Sequence, residues 1–314
     1  MRIWIGRVVA GLGVFLLVVG VLALVWAPGA LQKTPKKVDT TTYLDGTVQK
    51  LDAATGELGE QQPVGAISVT KTDSEASTAD DVAWIQSTCV MITDGSDAQP
   101  VCTKGSDDMV TASVDVFGTD RVTGLAVENG TDGLQLGPDA TPHDGLVNKW
   151  PFDSEKKTYP YWDGTLGKAL PATYVGSESL DGLTTYKYEV KVTDQPAEIA
   201  ADTQGTYSTV KDIWVEPVTG SIVNQTESQQ RYLEDGTQVL DLQLGFTTDQ
   251  VATSVAEAKT NSSGLTLLVH TVPLVGLVGG ALLLVVGAAV LMLGRRRTDA
   301  AHVDSARPTA GAGV

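Results

Sequence analysis

Two uncharged apolar stretches, one near each end of the chain, limit what this sequence can fold into more than any other feature. Residues 8–27 (VVAGLGVFLLVVGVLALVWA) and about 272–293 (VPLVGLVGGALLLVVGAAVLML) contain no Asp, Glu, Lys or Arg. A helix rises about 1.5 Å per residue, so roughly 20 apolar residues cross the hydrocarbon core of a bilayer. Residues 28–264 hold no further stretch of that length. The expected organisation is therefore residues 1–7 as a cytoplasmic N-terminus, 8–27 as a first transmembrane helix, 28–264 as one extracytoplasmic domain, 265–294 as a second transmembrane helix, and 295–314 as a basic, disordered cytoplasmic tail.

The flanking charges set the orientation. Arg295, Arg296 and Arg297 directly follow the second stretch, whereas its leading side has only Lys259 nearby. The positive-inside rule places that C-terminal end in the cytoplasm, and two spans bring Arg2 and Arg7 to the same side. Lys33, Lys36 and Lys37 oppose this assignment at the first span, but a long domain translocates largely regardless of its charge. The expectation is a two-pass plasma-membrane protein with both termini inside. A cleaved leader is the alternative for the first span. A small-x-small site stands at Ala27–Pro28–Gly29, but signal cores run about 7–15 residues, shorter than this stretch.

Charge and cysteine usage fit an exported middle. Residues 28–264 hold 36 acidic and 16 basic residues, a net of about -20. Such a surface repels nucleic acid, which is not expected as a partner. The two cysteines, Cys89 and Cys102, bracket an apolar run and a turn-rich centre (CVMITDGSDAQPVC), the layout of a loop closed by a disulfide. Oxidising compartments permit the bond, worth roughly 2–3 kcal/mol for so short a loop in the chain-entropy model. Two cysteines without supporting ligands make a poor metal site, and no D-x-D-x-D-G spacing occurs, so neither metal nor cofactor is expected.

The middle reads as mainly β. Alternating or β-branched runs at residues 66–72, 84–93, 109–117, 121–128, 184–193, 213–216, 221–227 and 239–247 are separated by Asp94-Gly95, Asn129-Gly130, Asp181-Gly182, Thr219-Gly220 and Asp235-Gly236. These pairs are hairpin chemistry, because Gly and Asn tolerate positive φ. Tyr186, Tyr188, Val190 and Val192 alternate with Lys187, Glu189 and Lys191, giving one buried and one wet face. Residues 249–259 carry Val251, Val255 and Ala258 at helical spacing. The fold class is a membrane-anchored, mainly β (α+β) ectodomain, an antiparallel sheet or irregular barrel flanked by two transmembrane helices.

Catalytic patterns are absent from the sequence. It has no G-x-S-x-G elbow, H-E-x-x-H, Walker loop or dinucleotide fingerprint. Of three histidines only His143 lies in the middle, in a turn-like context (DATPHDG) that predicts an exposed ring. The chain reads as a non-enzyme. Gly276 and Gly280 form a G-x-x-x-G in the second stretch, suited to close packing against the first span or a second copy.

The densest aromatic cluster is WPFDSEKKTYPYW, with Trp150, Phe152, Tyr159, Tyr161 and Trp162 beside Pro151 and Pro160. The X-Pro bonds favour extended backbone. The rings either fill a core or form an aromatic wall for sugar rings or acyl chains. The run NKWPFDSEKKTYPYWDGTLGKALPATYVGSESLDGLTTYKYEV, with the later DIWVEPVTGSIVNQTESQQRYLEDG, resembles the actinobacterial porin PorA family. The likeness covers nearly the whole chain. It implies a two-span cell-envelope protein of high-GC Gram-positive bacteria, and it brings no catalytic residue.

Three functions stay open on the sequence. The first is a non-enzymatic envelope protein that binds or presents a lipid or glycolipid, or supports lipoglycan biogenesis. Its partners would be membrane lipids, an envelope glycolipid or a membrane biosynthetic enzyme. The second is an oligomeric porin-like channel. The third is an ectoenzyme without a recognisable motif. A pore needs either a closed barrel with an outward apolar band or enough helices to enclose a passage. The strands here are acidic and each chain supplies two spans, so a channel would require a homo-oligomer.

Overall fold

The computed structural model describes residues 2–95, 100–103 and 105–304. The chain divides into two units, one of residues 33–262 and one of the helical segments before and after it.

In the helical unit, α1 (Arg2–Leu31) packs against α3 (Val272–Asp304), which a π turn at Leu267–Thr271 precedes. Both are long and apolar enough to cross a membrane. The buried positions of α1 are Gly6, Gly13, Gly20 and Ala27, one every seven residues. Facing them on α3 are Gly276, Gly280 and Gly287. A seven-residue repeat keeps small residues on one helix face, and their missing side chains let two backbones touch. The helices outrun their expected limits. α1 continues past residue 27 through Pro28 to Leu31, and α3 continues past the three arginines to Asp304. Residues 295–304, expected to be a disordered tail, are thus helical, and the remaining tail, 305–314, lies outside the described residues.

The other unit is a β structure with one helix. Its strands are β1 (Asp39–Asp52), β2 (Glu57–Leu58), β3 (Gln62–Asp73), β4 (Asp81–Ile92), β5 (Met109–Asp120), β6 (Ala126–Val127), β7 (Tyr159–Asp163), β8 (Lys168–Leu180), β9 (Leu183–Ala200), β10 (Thr203–Glu216), β11 (Ser221–Leu233) and β12 (Gln238–Phe246). They form one sheet in the order β6-β5-β4-β3-β1-β12-β11-β10-β9-β8-β7, with β2 paired to β1. Every named strand pair is antiparallel. The two ends of this sheet are not free. Leu146 bridges Leu125, beside β6, and also Tyr161 of β7. The sheet's ends are thereby bridged at one level, giving a curled antiparallel sheet within the expected choice of antiparallel sheet or irregular barrel.

One face of the sheet carries the core. From β10 it presents Tyr207, Thr209, Lys211, Ile213 and Val215, which pair with Arg231, Gln229, Glu227, Gln225 and Ile222 of β11. Tyr207, Ile213 and Val215 join Tyr188, Val190, Val192, Leu170, Ala172, Tyr159, Tyr161, Trp150 and Leu146 in the main cluster. Val48, Val64, Ala66, Val90 and Leu242 form a second one. The opposite face is covered at one place, where Leu183, Trp214 and Val223 pack on Val255 and Ala258 of α2 (Thr248–Thr266). The Thr247 hydroxyl accepts from the Gln250 amide at 3.1 Å and caps that helix. Elsewhere the described residues of this outer face mix the charged Lys71, Lys187, Lys191, Glu189, Asp212 and Asp241 with exposed Ile85, Val114 and Val210, a composition that does not suit lipid contact.

Candidate functional site

The aromatic segment is built into the barrel wall, and the structure separates its members. Trp150 is fully buried, and Tyr159 and Tyr161 nearly so. Trp150 stacks on Tyr161 and packs on Tyr188, each at 5.2 Å between centroids, and Tyr159 meets Tyr188 edge-on at 5.8 Å. The Tyr188 hydroxyl donates to the Glu155 carbonyl (2.7 Å), and the Tyr159 hydroxyl accepts from the Glu155 amide (2.9 Å). Gly220 locks the segment in place. Its carbonyl accepts from the Trp150 amide at 2.9 Å, and with φ 73° a Cβ there would collide with the Trp150 carbonyl. Tyr188 thus stands between Trp150 and Tyr159, and all three rings of the segment belong to the buried cluster. The wall that the sequence offers as a sugar or acyl site is, at these positions, core. Phe152 and Trp162 are half-buried and hold other partners, the Lys149 amine at 3.6 Å and the His143 ring at 4.3 Å.

A polar strip runs through the same interior. The Lys211 amine lies 3.2 Å from the Glu227 carboxylate, both side chains being 16–17% exposed. Thr209 donates to Glu227 (3.2 Å), the Tyr207 hydroxyl to Asp163 (3.1 Å), and Arg231 to the Ile199 carbonyl (2.6 Å). Burial alone would lower the Lys211 pKa, but the facing Glu227 carboxylate raises it, so the amine stays charged. Burial pushes the Tyr207 phenol up to about 12, helped by Glu227 and Asp163. Most of the strip is paired internally, while the buried Arg231 Nε has no hydrogen-bond partner. Sequence reasoning missed it. The available signal was Lys211 at an inward position of the alternation from Tyr207 to Val215.

His143 is not the exposed turn residue that its sequence context predicts. Its side chain is only 2% exposed. Nδ1 lies 2.8 Å from the Thr141 carbonyl and Nε2 2.8 Å from the Asp115 carboxylate. Phe117 and Trp162 take the two ring faces, with centroids at 5.0 and 4.3 Å. Burial would raise the Asp115 pKa, but the hydrogen bond and charge of His143 hold it below the usual carboxylate range. Nearby, the Lys149 amine sits 3.2 Å from the Thr34 hydroxyl, and desolvation pushes it down to about 7 against a weaker pull from Asp120.

The remaining sequence-marked residues lie apart from these groups. Cys89 and Cys102 are joined, with Cα atoms 6.3 Å apart. Gly276 meets Gly20, and Gly280 meets Gly13, inside the helical unit. Trp4 and Trp26 are 70% and 67% exposed at the two ends of α1, about 33 Å apart at 1.5 Å per residue. That separation matches the two interfaces of a bilayer, where Trp concentrates. A shallow groove of about 400 Å³ on the barrel's outer face, between Asp45, Asp212, Ser228 and Gln243, is open to solvent. Among the described residues no cluster of His, Cys, Asp and Glu has the makings of a metal site.

The chain matches the family described as Porin PorA over residues 5–289, a span that takes in the β unit, most of α1 and the first part of α3. It is 29% identical over 76 residues to a protein of Corynebacterium amycolatum named Porin PorA, covering 24% of this chain and 20% of that one. It is 31% identical over 104 residues to a protein of the same name from Corynebacterium resistens, covering 29% and 24% respectively. The chain thus spans a quarter or less of these curated relatives.

Proposed function

We propose that this chain, which belongs to the Porin PorA family, works as a non-enzymatic, channel-like protein of the cell envelope in which several copies contribute helices to one passage. The observation that carries this reading is the family match itself, because it extends into both apolar helices and does not stop at the β unit. The structure constrains how such a channel would be made. Charged residues on the outer strand face argue against strands in lipid, and the Lys211–Glu227 strip with its aromatic neighbours fills the sheet's core face. Conduction is therefore assigned to the helices. α1 and α3 expose apolar faces along their length, among them Phe15, Leu22, Leu282 and Val285, which suits further helix contacts in a bilayer. An apolar constriction of that kind gates by wetting and dewetting. His270 and Thr271, exposed on the π turn, supply polar groups at its end.

In this reading the protein crosses the membrane twice. Trp4 and Trp26 mark the interfaces, and Arg295–Arg297 hold the C-terminal end inside. The lipid-presenting alternative loses its main support, since Trp150, Tyr159 and Tyr161 are covered. The test is reconstitution of the full-length protein into planar bilayers, with cross-linking in native membranes. Discrete conductance steps from a cross-linked oligomer are expected. A folded, strictly monomeric protein without conductance would overturn the proposal.

A further inference from the structure

The seam of the barrel is one residue wide. Gly145 accepts from the Ala126 amide (2.8 Å), the Leu146 amide donates to Pro160 (2.8 Å), and the Leu146 carbonyl accepts from Trp162 (2.7 Å). These few bonds join the β6 end of the sheet to β7. Three residues upstream of Leu146, the His143 side chain crosses the same gap. It touches Asp115 and Phe117 of β5 on one side and Trp162 of β7 on the other. We infer that His143 is a proton-operated latch on this seam, holding the two ends of the sheet together when its ring carries both protons and loosening them when it loses one.

The geometry dictates the protonation. A backbone carbonyl can only accept a hydrogen bond, and so can an ionised carboxylate. The Thr141 carbonyl faces Nδ1 and the Asp115 carboxylate faces Nε2, each at 2.8 Å, so both ring nitrogens must donate. Only the imidazolium does that. A neutral ring would turn a lone pair toward one of the two oxygens in a site where water does not reach the side chain. The aromatic faces of Phe117 and Trp162 favour the cation further, since their π clouds attract positive charge. Asp115 is the one charged group in described contact with the ring. The neighbouring Asp144 is turned to the Gly145 amide (2.8 Å), and Thr141 also donates its hydroxyl to Asp115 at 3.2 Å. The latch therefore responds to the loss of one ring proton. Raising the pH removes one of the two bonds that fix the ring beside the seam: the Asp115 bond, which ties the loop to β5, or the Thr141 bond, which sets the ring's orientation within the loop.

Amide hydrogen exchange on the full-length protein in detergent tests this without reference to channel activity. The amides of Leu146 and Trp162, which donate the seam bonds, are followed at about pH 5.5 and pH 8 with intrinsic rates divided out, against the Ile213 amide of β10 as control. Protection of both is expected to fall about tenfold at the higher pH, with Ile213 unchanged, and the step is expected to vanish in His143→Gln. Equal protection at both pH values, or a step that survives in His143→Gln, would overturn the latch. If that variant does not fold, Asp115→Asn keeps the ring and removes the anion that demands its second proton. The step should then move to lower pH, and a step that stays in place would equally overturn it.

Discussion

Gly13 of α1 and Gly280 of α3 meet backbone to backbone: a Cβ on Gly13 would stand 2.9 Å from the Gly280 carbonyl oxygen, and one on Gly280 2.8 Å from that of Gly13. In lipid no hydrophobic force draws two apolar helices together, so close packing of this kind decides whether they associate. Replacing Gly13 or Gly280 by Ile should separate them at a cost of about 1–3 kcal/mol. The readout is disulfide formation between cysteines placed at Ala10 and Gly287, which face each other. Yield should drop several-fold in either variant. The same change at Gly11, which has open space around it, should leave the yield intact. Equal losses at Gly11 and Gly13 would mean that the helices do not use this face.

Lys211 and Glu227 make the second case. Their charges sit inside the barrel and satisfy each other, so removing one leaves the other uncompensated. Lys211→Met should cost about 3–5 kcal/mol in chemical unfolding of the full-length protein, and adding Glu227→Leu should recover most of that. A double variant as unstable as the single one would show that Lys211 matters for its packing on Tyr161 and not for its charge.

How much of this was legible in the sequence follows from where the signals were local. Strands β3, β4, β5, β9 and β12 could be read because their apolar residues alternate over the length of a strand. The wet and dry faces at Tyr186–Val192 came from the same alternation, whereas β1 left no such mark. Gly46 lies inside that strand, where a Cβ would collide with the backbone of Gln243 in β12. A glycine required by a neighbouring strand looks the same, in one dimension, as a glycine required by a turn. The run at residues 121–128, expected as a strand, was misread. Most of it is a turn built on Asp120, whose carboxylate accepts from the amides of Val122 and Thr123, and only Ala126–Val127 pairs as a strand. In the helical unit, Gly276 and Gly280 stood out because they are four apart. Gly6, Gly13 and Gly20 did not, because a seven-residue spacing is easily passed over in a glycine-rich stretch. At the site level, aromatic density located Trp150–Trp162, but density does not tell a core from a ligand wall. The burial of His143 was invisible because Asp115, Phe117 and Trp162 reach it from strands distant in sequence.

Lys149 gives the last prediction, one of pH. Its amine is withdrawn from water among the Thr34 hydroxyl, the Phe152 ring and the more distant Asp120, and its pKa is pushed down to about 7 from 10.5. The sign follows from linkage. Between pH 7 and 10.5 the unfolded chain holds the proton on this lysine while the folded chain has released it, so unfolding takes up a proton and stability rises with pH. The slope should approach 1.4 kcal/mol per pH unit, roughly, in the middle of that window, less whatever other groups contribute in the opposite direction. Below pH 7 both states hold the proton, and the folded protein carries the full burden of a buried charge. Lys149→Met removes the charge and keeps the apolar stem against Phe152. It should therefore stabilise most at pH 6, progressively less toward pH 10, and flatten the wild-type rise. Chemical denaturation of both proteins at pH 6, 8 and 9.5 measures it. Parallel curves for the two proteins would place the amine in water and sink the prediction.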